Sequence, residues 1–157
     1  MDIIAFDNAL DFITQSQIAD LYDGVYPIGP VLHQILTGIA GMYLYCARAD
    51  DGRLLGAGVL KSSEIVMPAG PEVKPLGWIV SDMVTPERFR RKGVARRLLA
   101  HIEQVAYRNG GRILYLYTDE QNGPAVQLYR NCRYRQLEGQ SGQAVFVKLL
   151  GVADGAN

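Results

Sequence analysis

Residues 84–99 read VTPERFRRKGVARRLL, and the fold turns on how this stretch divides. An apolar run, residues 76–84, leads into it and is stopped by Thr85 and Pro86, because proline cannot donate to a sheet ladder. A basic loop with a single glycine follows. From Val94 onward the apolar residues Leu98, Leu99, Ile102, Val105 and Ala106 recur at helical spacing, which predicts a helix over 94–109 closed by Gly110 and Gly111. Strand, basic loop and long helix therefore follow one another without a break.

That junction suits an anion. The first amides of a helix have no intrahelical partner and carry a partial positive charge. Gly93 and the small Ala95 would let a phosphate-bearing ligand approach the backbone, while Arg90, Arg91, Lys92 and Arg96 add charge and Val94 opens the helix. Taken alone, a basic run is as readily a solvated face with a turn glycine. A nucleic-acid patch is disfavoured, since the six basic residues of 88–97 have only Phe89 among them as an aromatic platform. Neither the dinucleotide glycine fingerprint nor the P-loop pattern is present, so neither of those phosphate sites is expected.

Outward from the junction, residues 112–118 read as a strand, 124–131 as a short helix, and 134–137 and 144–149 as closing strands. Upstream, 2–6 is a short strand, and 10–25 carries apolar residues at mostly helical spacing up to the break at Tyr26 and Pro27. A second short helix is expected over 31–39. Residues 42–60 read as a hairpin, with two β-prone runs separated by Asp50, Asp51, Gly52 and Arg53. Residues 67–75 are irregular. The expected order is β-α-α-β-β-β-α-β-α-β-β.

Composition sets the outer limits. The chain has 157 residues, 48% apolar and 20% charged, enough to bury one core. One domain is expected over 1–150, with 151–157 a frayed tail. Sixteen basic residues balance sixteen acidic ones, so no global field draws the chain to nucleic acid or an anionic membrane. Cys46 and Cys132 are too few for a disulfide framework and are not at metal-ligand spacing with His33 or His101; no metal is expected. Without a recognisable leader or a run of about 20 apolar residues, the default expectation is a cytoplasmic protein.

A second segment, residues 122–134, reads NGPAVQLYRNCRY. Together, Arg90-x-x-Gly93-x-Ala95 at a strand-to-helix junction and Asn122-x-x-Ala125-x-x-Leu128-Tyr129 downstream resemble the GCN5-related N-acetyltransferase (GNAT) superfamily. The resemblance spans about residues 76–149. It departs at Arg133, where the family usually has glycine, and at Tyr134, where it usually has phenylalanine. It implies a mixed α/β domain whose central sheet is mostly antiparallel, with helices on both faces and one parallel pair flanking the 94–109 helix. It further implies acetyl-CoA as co-substrate and direct acetyl transfer to a primary amine on a small molecule or peptide.

Carried over by position, the resemblance assigns the pyrophosphate to the amides of Arg91 to Arg96 and the pantetheine arm to the end of the 76–84 strand, at Met83 and Val84. The family's strand splays from its neighbour at that point. Asn122 matches a residue that contacts the arm, although its side chain equally suits an N-cap. Tyr129 matches the tyrosine that can protonate the departing thiolate, against the alternative of a packing ring. Asp82, the one acid in residues 76–84, is the candidate to receive the amine's proton, against the alternative of a solvent-facing side chain. His33 and His101 carry little weight. A protein N-terminus or lysine as acceptor, a silent acyl-CoA-binding domain, and a homodimer are further options that the resemblance leaves open.

Overall fold

The computed structural model describes residues 1–6, 12–25, 29–36, 41–62, 77–137 and 142–152. Its elements follow the expected order. They are β1 (Asp2–Phe6), α1 (Phe12–Leu21), α2 (Gly29–Leu36), β2 (Met42–Arg48), β3 (Leu54–Ser62), β4 (Gly77–Val84), a 3₁₀ turn (Glu87–Phe89), α3 (Val94–Arg108), β5 (Ile113–Asp119), α4 (Gly123–Asn131), β6 (Arg135–Leu137) and β7 (Gln143–Leu149). The seven strands form one sheet in the order β1-β2-β3-β4-β5-β7-β6. Only β4 and β5 run parallel, and α3 makes the crossover between them that a parallel pair requires.

Alternation along the strands separates two cores. In β2, Leu44 and Cys46 point to one face and Tyr45 to the other. The first face meets Ile18, Leu21 and Tyr22 of α1 and Leu32 of α2. The opposite face meets Leu98, Leu99 and Ile102 of α3 and Tyr129 of α4. Fully burying each such leucine or isoleucine contributes about 1.5–3 kcal/mol before ordering costs. The apolar spacing read from the sequence over 94–109 is thus the stripe that α3 lays on the sheet.

Several boundaries differ from expectation. Helix α1 ends at Leu21, short of Tyr26, because the chain tightens into i→i−3 turns at Tyr22 and Asp23. The hairpin closes as expected, with Gly52 N bonded to Ala49 O and Ala49 N to Arg53 O. The break predicted at Tyr26 and Pro27, the end of the 31–39 helix, Leu76, residues 67–75 and most of the 151–157 tail lie outside the described residues. Among the described residues no helix is long and apolar enough to cross a membrane, and both cysteines are free.

Candidate active site

The sheet opens at one place. Strands β4 and β5 pair from Gly77↔Ile113 to Val80↔Leu116 and no further, although β4 continues to Val84 and β5 to Asp119. On its other side β4 bulges against β3. Val59 faces Ser81 and Ala57 faces Val84, so Asp82 and Met83 together oppose Gly58. The extra residue is accommodated by Asp82 in the left-handed region, φ 56°. Gly58 permits the bulge to close, since a Cβ there would stand 2.3 Å from Met83 Sδ. The result is a wedge between two parallel strands, with β4 backbone on its edge.

The basic loop borders that wedge. Arg90 is exposed and its Nε donates to Thr85 O at 3.0 Å, which folds the loop back on the strand end. Arg91 and Gly93 both take positive φ, 62° and 74°. Gly93 is the N-cap of α3 and, having no side chain, provides no cap to the first turn. A Cβ at Gly93 would meet nothing within 4 Å, so the space beside these amides is open. Lys92, Arg96 and Arg97 are exposed around it, Ala95 is half-buried, and Val94 turns inward beside Gly56. Uncapped amides, open space and surrounding cations fit a pyrophosphate.

Helix α4 begins differently. Asn122 caps it, its Oδ1 accepting from Ala125 N at 3.3 Å, with Pro124 in the first turn. The capping reading of Asn122 is therefore what the geometry displays, and its side chain is exposed. At the other end, Tyr134 N bonds to Tyr129 O and Arg133 N to Arg130 O. This is a Schellman closure with Arg133 left-handed at φ 67°. The turn that glycine usually makes is kept, and arginine occupies it.

Tyr129 is 5% exposed and packs edge-on against Phe146 of β7, ring centroids 5.4 Å apart. Phe146 in turn pairs with Leu116, the last β5 residue that touches β4, so the ring lies over the root of the wedge. Burial pushes the phenol up to about 12, with Cys132 contributing second. A polar network behind it holds α4 to α3 and β7. Glu103 accepts from Tyr134 Oη at 2.8 Å and from Lys148 Nζ at 3.0 Å, and Lys148 also donates to Cys132 O.

Asp82 belongs to the opposite face. Its carboxylate pairs with Lys61 Nζ and accepts from Ser81 Oγ, and its backbone carbonyl accepts from Tyr22 Oη of α1. Asp82 is therefore neither solvent-facing nor alone. Met83 is half-buried on the α3 face, whereas the Val84 side chain is buried in the α1 core, so Val84 can offer only backbone to a ligand in the wedge. His101 packs tilted against Tyr45, ring centroids 5.4 Å apart, and is held below its usual range by burial and then by Arg108. It lies within the α3 packing surface, and His33 is exposed on α2. Lys61 and Tyr22 had no signal in the sequence, since only the β3–β4 register and the α1 contact bring them to Asp82, whereas Ser81 is its neighbour in the chain.

Comparisons with known proteins accord with this geometry. The model of the acetyltransferase (GNAT) family matches residues 14–134. GCN5-related N-acetyltransferase 4, chloroplastic, of Arabidopsis thaliana is 36% identical over 63 residues, which cover 40% of this chain and 22% of that protein. Aminoglycoside 6'-acetyltransferase type Ii superposes with a TM-score of 0.73 at 19% identity, over 98% of this chain and 99% of that one. NAA60 of Arabidopsis thaliana in complex with a bisubstrate analogue gives 0.70 at 17% identity over 97% and 100%. The PaiA N-acetyltransferase of Thermoplasma acidophilum in complex with coenzyme A gives 0.68 at 16% over 95% and 99%. At these identities the shared property of the solved structures is the fold.

Proposed function

The chain belongs to the GNAT acetyltransferase family, and from that premise we propose that it transfers an acetyl group from acetyl-CoA to a primary amine within a ternary complex. The observation that carries the reading is the wedge after Val80 and Leu116, placed beside the uncapped, cation-ringed start of α3. A thioester arm laid in the wedge would pair with free β4 backbone at Met83, while its pyrophosphate meets the amides of Val94, Ala95 and Arg96.

In this reading the amine nitrogen attacks the thioester carbonyl carbon, the new C–N bond forms, and the C–S bond breaks. The acceptor gives up a proton and the sulfur takes one. Asp82 and Tyr129 approach from opposite faces of the sheet, which suits one to the amine and the other to the leaving sulfur. Tyr129, with its pKa pushed to about 12, stays protonated at any working pH. It serves the departing sulfur as a fixed hydrogen-bond donor that stabilises the developing thiolate, and because a thiol is the stronger acid, at about 8.5, the proton the sulfur finally takes comes from water. Backbone N–H near Val84 would hold the developing oxyanion. A small-molecule or peptide amine both fit this chemistry.

The test joins binding to turnover. Coenzyme A should raise the melting temperature, by about 2.7 kcal/mol of added stability at a hundredfold excess over Kd, with NAD and ATP protecting less. Acetyl-CoA should be consumed when a panel of amines, aminoglycosides and peptides is added. A melting temperature unmoved by millimolar acetyl-CoA would sink the proposal.

A further inference from the structure

Lys61 and Asp82 form an ion pair that leaves donor and acceptor valences open. Lys61 Nζ lies 3.3 Å from Asp82 Oδ2, and each side chain is 17% exposed. Ser81 Oγ donates to the same oxygen at 2.7 Å. Among the described residues, no side-chain hydrogen bond or ion pair reaches Asp82 Oδ1, and the Lys61 ammonium has no ion-pair partner besides Oδ2. An ammonium carries three N–H donors and each carboxylate oxygen two lone pairs, so the pair keeps one open acceptor oxygen beside open donors. Each side chain keeps an exposed edge, so the open acceptor and donors are within reach of a bound molecule. The left-handed backbone at Asp82 adds strain of the kind that gathers at functional sites.

The open valences are opposite in sign, adjacent, and placed where β4 parts from β5. We infer that Lys61 and Asp82 together receive an acceptor whose amine has a carboxylate a few bonds away, with Lys61 holding the carboxylate and Asp82 the amine. This rests on the acetyl-transfer reading and names the acceptor class within it: small amino carboxylates. A polycationic acceptor would bring a second positive charge against Lys61, and like charges repel most where both are withdrawn from water. An acceptor with an amine alone would satisfy Asp82 and leave Lys61 unmatched.

The experiment compares wild type, Lys61→Gln and Lys61→Arg on amino carboxylates of increasing chain length, their carboxamides and a polyamine. Two quantities are read: kcat/KM from thiol release, and acceptor Kd by calorimetry on the coenzyme A-loaded protein. In wild type, amidating the carboxylate should cost at least about tenfold in both, the scale of one charge-assisted contact. Lys61→Gln should close that gap, and Lys61→Arg, which keeps the charge, should retain it. Polyamines or carboxamides preferred by wild type, or a preference unchanged in Lys61→Gln, overturn the inference. Acetylation without carboxylate preference leaves the acetyl-transfer reading standing and removes this one. Lys61-dependent binding of amino carboxylates without acetylation does the reverse, and neither binding nor acetylation removes both.

Discussion

Helix α3 opens on Gly93, which offers its first-turn amides no side chain, whereas α4 opens on Asn122, whose Oδ1 accepts from Ala125 N. The two starts stand close in sequence to the ends of β4 and β5, the strands that part. Neither has an acidic residue in its first turn, but α3 is also ringed by Arg91, Lys92, Arg96 and Arg97. Cations at a helix N-terminus oppose its dipole, by about 0.3–1 kcal/mol each at the surface. Stability alone would select against that arrangement. A helix that caps itself is complete as it stands, and one that gathers cations around bare amides is suited to an anion.

The largest effect should come from closing the open start. Gly93 sits at φ 74° with free space around it, so valine there would strain the backbone by about 1–3 kcal/mol and fill the space a phosphate needs. Losing two charge-assisted backbone bonds at about 1.5–3 kcal/mol each predicts roughly a hundredfold or greater fall in coenzyme A affinity for Gly93→Val. Arg90→Ala should cost less than about tenfold, because Arg90 is one exposed cation among several. Calorimetric titration of both variants decides it. Negligible, equal losses would mean that the α3 start is not where the phosphates go, and raised salt should weaken wild-type binding.

Helix α4 should show the opposite division, with its effect in turnover. Tyr129→Phe keeps the ring against Phe146, so cofactor affinity should hold while kcat falls by about 10²-fold, the lower end of an acid–base contribution. Single-turnover rates across pH 6 to 9 separate this from slow product release, and a wild-type rate would leave Tyr129 a packing residue. The hydroxyl also has a stability signature. Its pKa is about 12 when folded against about 10 unfolded, so above pH 10 the unfolded chain loses a proton that the folded protein keeps. Stability should therefore decline as pH rises from about 10 to 12, less steeply in Tyr129→Phe. Cys46 and Tyr134, also pushed up by burial, keep part of the slope.

These contrasts separate what the sequence makes legible from what it hides. Periodicity located α3 because its stripe of Val94, Leu98 and Ile102 meets the sheet directly, and a glycine within a basic loop marked the left-handed N-cap of α3, because a side chain at φ 74° is strained. The hairpin was visible for a similar reason, through its Asp-Gly turn. What stayed hidden depends on register. Arg91 and Arg133 adopt positive φ without the residue type that advertises it. Lys61 is paired with Asp82 by the β3–β4 ladder, some 20 residues away in sequence, and nothing in residues 54–62 announces that meeting. The Glu103, Tyr134 and Lys148 network joins three elements whose contacts no local pattern encodes.

A smaller effect tests whether the start of α4 is structural. Removing the cap with Asn122→Ala should cost about 1 kcal/mol, the usual value for such a loss, read from denaturant midpoints without ligand. If Asn122 also contacts the cofactor arm, coenzyme A protection should fall by more than that stability change alone accounts for. Unchanged stability would show that Ala125 N finds another acceptor.

The two helices that begin so differently end alike, and this allows the finest comparison. Helix α3 closes with Gly111 N bonded to Ala106 O and Gly110 N to Tyr107 O, and α4 with Tyr134 N to Tyr129 O and Arg133 N to Arg130 O. The bonds are the same pair in each, but the left-handed position holds Gly110 at φ 87° in one and Arg133 at φ 67° in the other. A non-glycine residue there costs roughly 1–2 kcal/mol in backbone sterics, while glycine costs about 0.5–1 kcal/mol through the greater freedom of the unfolded chain. Arg133→Gly should therefore stabilise by several tenths to about 1 kcal/mol, about 2–4 °C in melting temperature at most for a domain of this size. Gly110→Arg should move it the other way by a similar amount. Arg133 also takes part in a further interaction, and any share its side chain has in it subtracts from the gain. A lower melting temperature in Arg133→Gly would show that this share outweighs the strain, and that arginine at this turn holds α4 in place by its side chain as well as by its backbone.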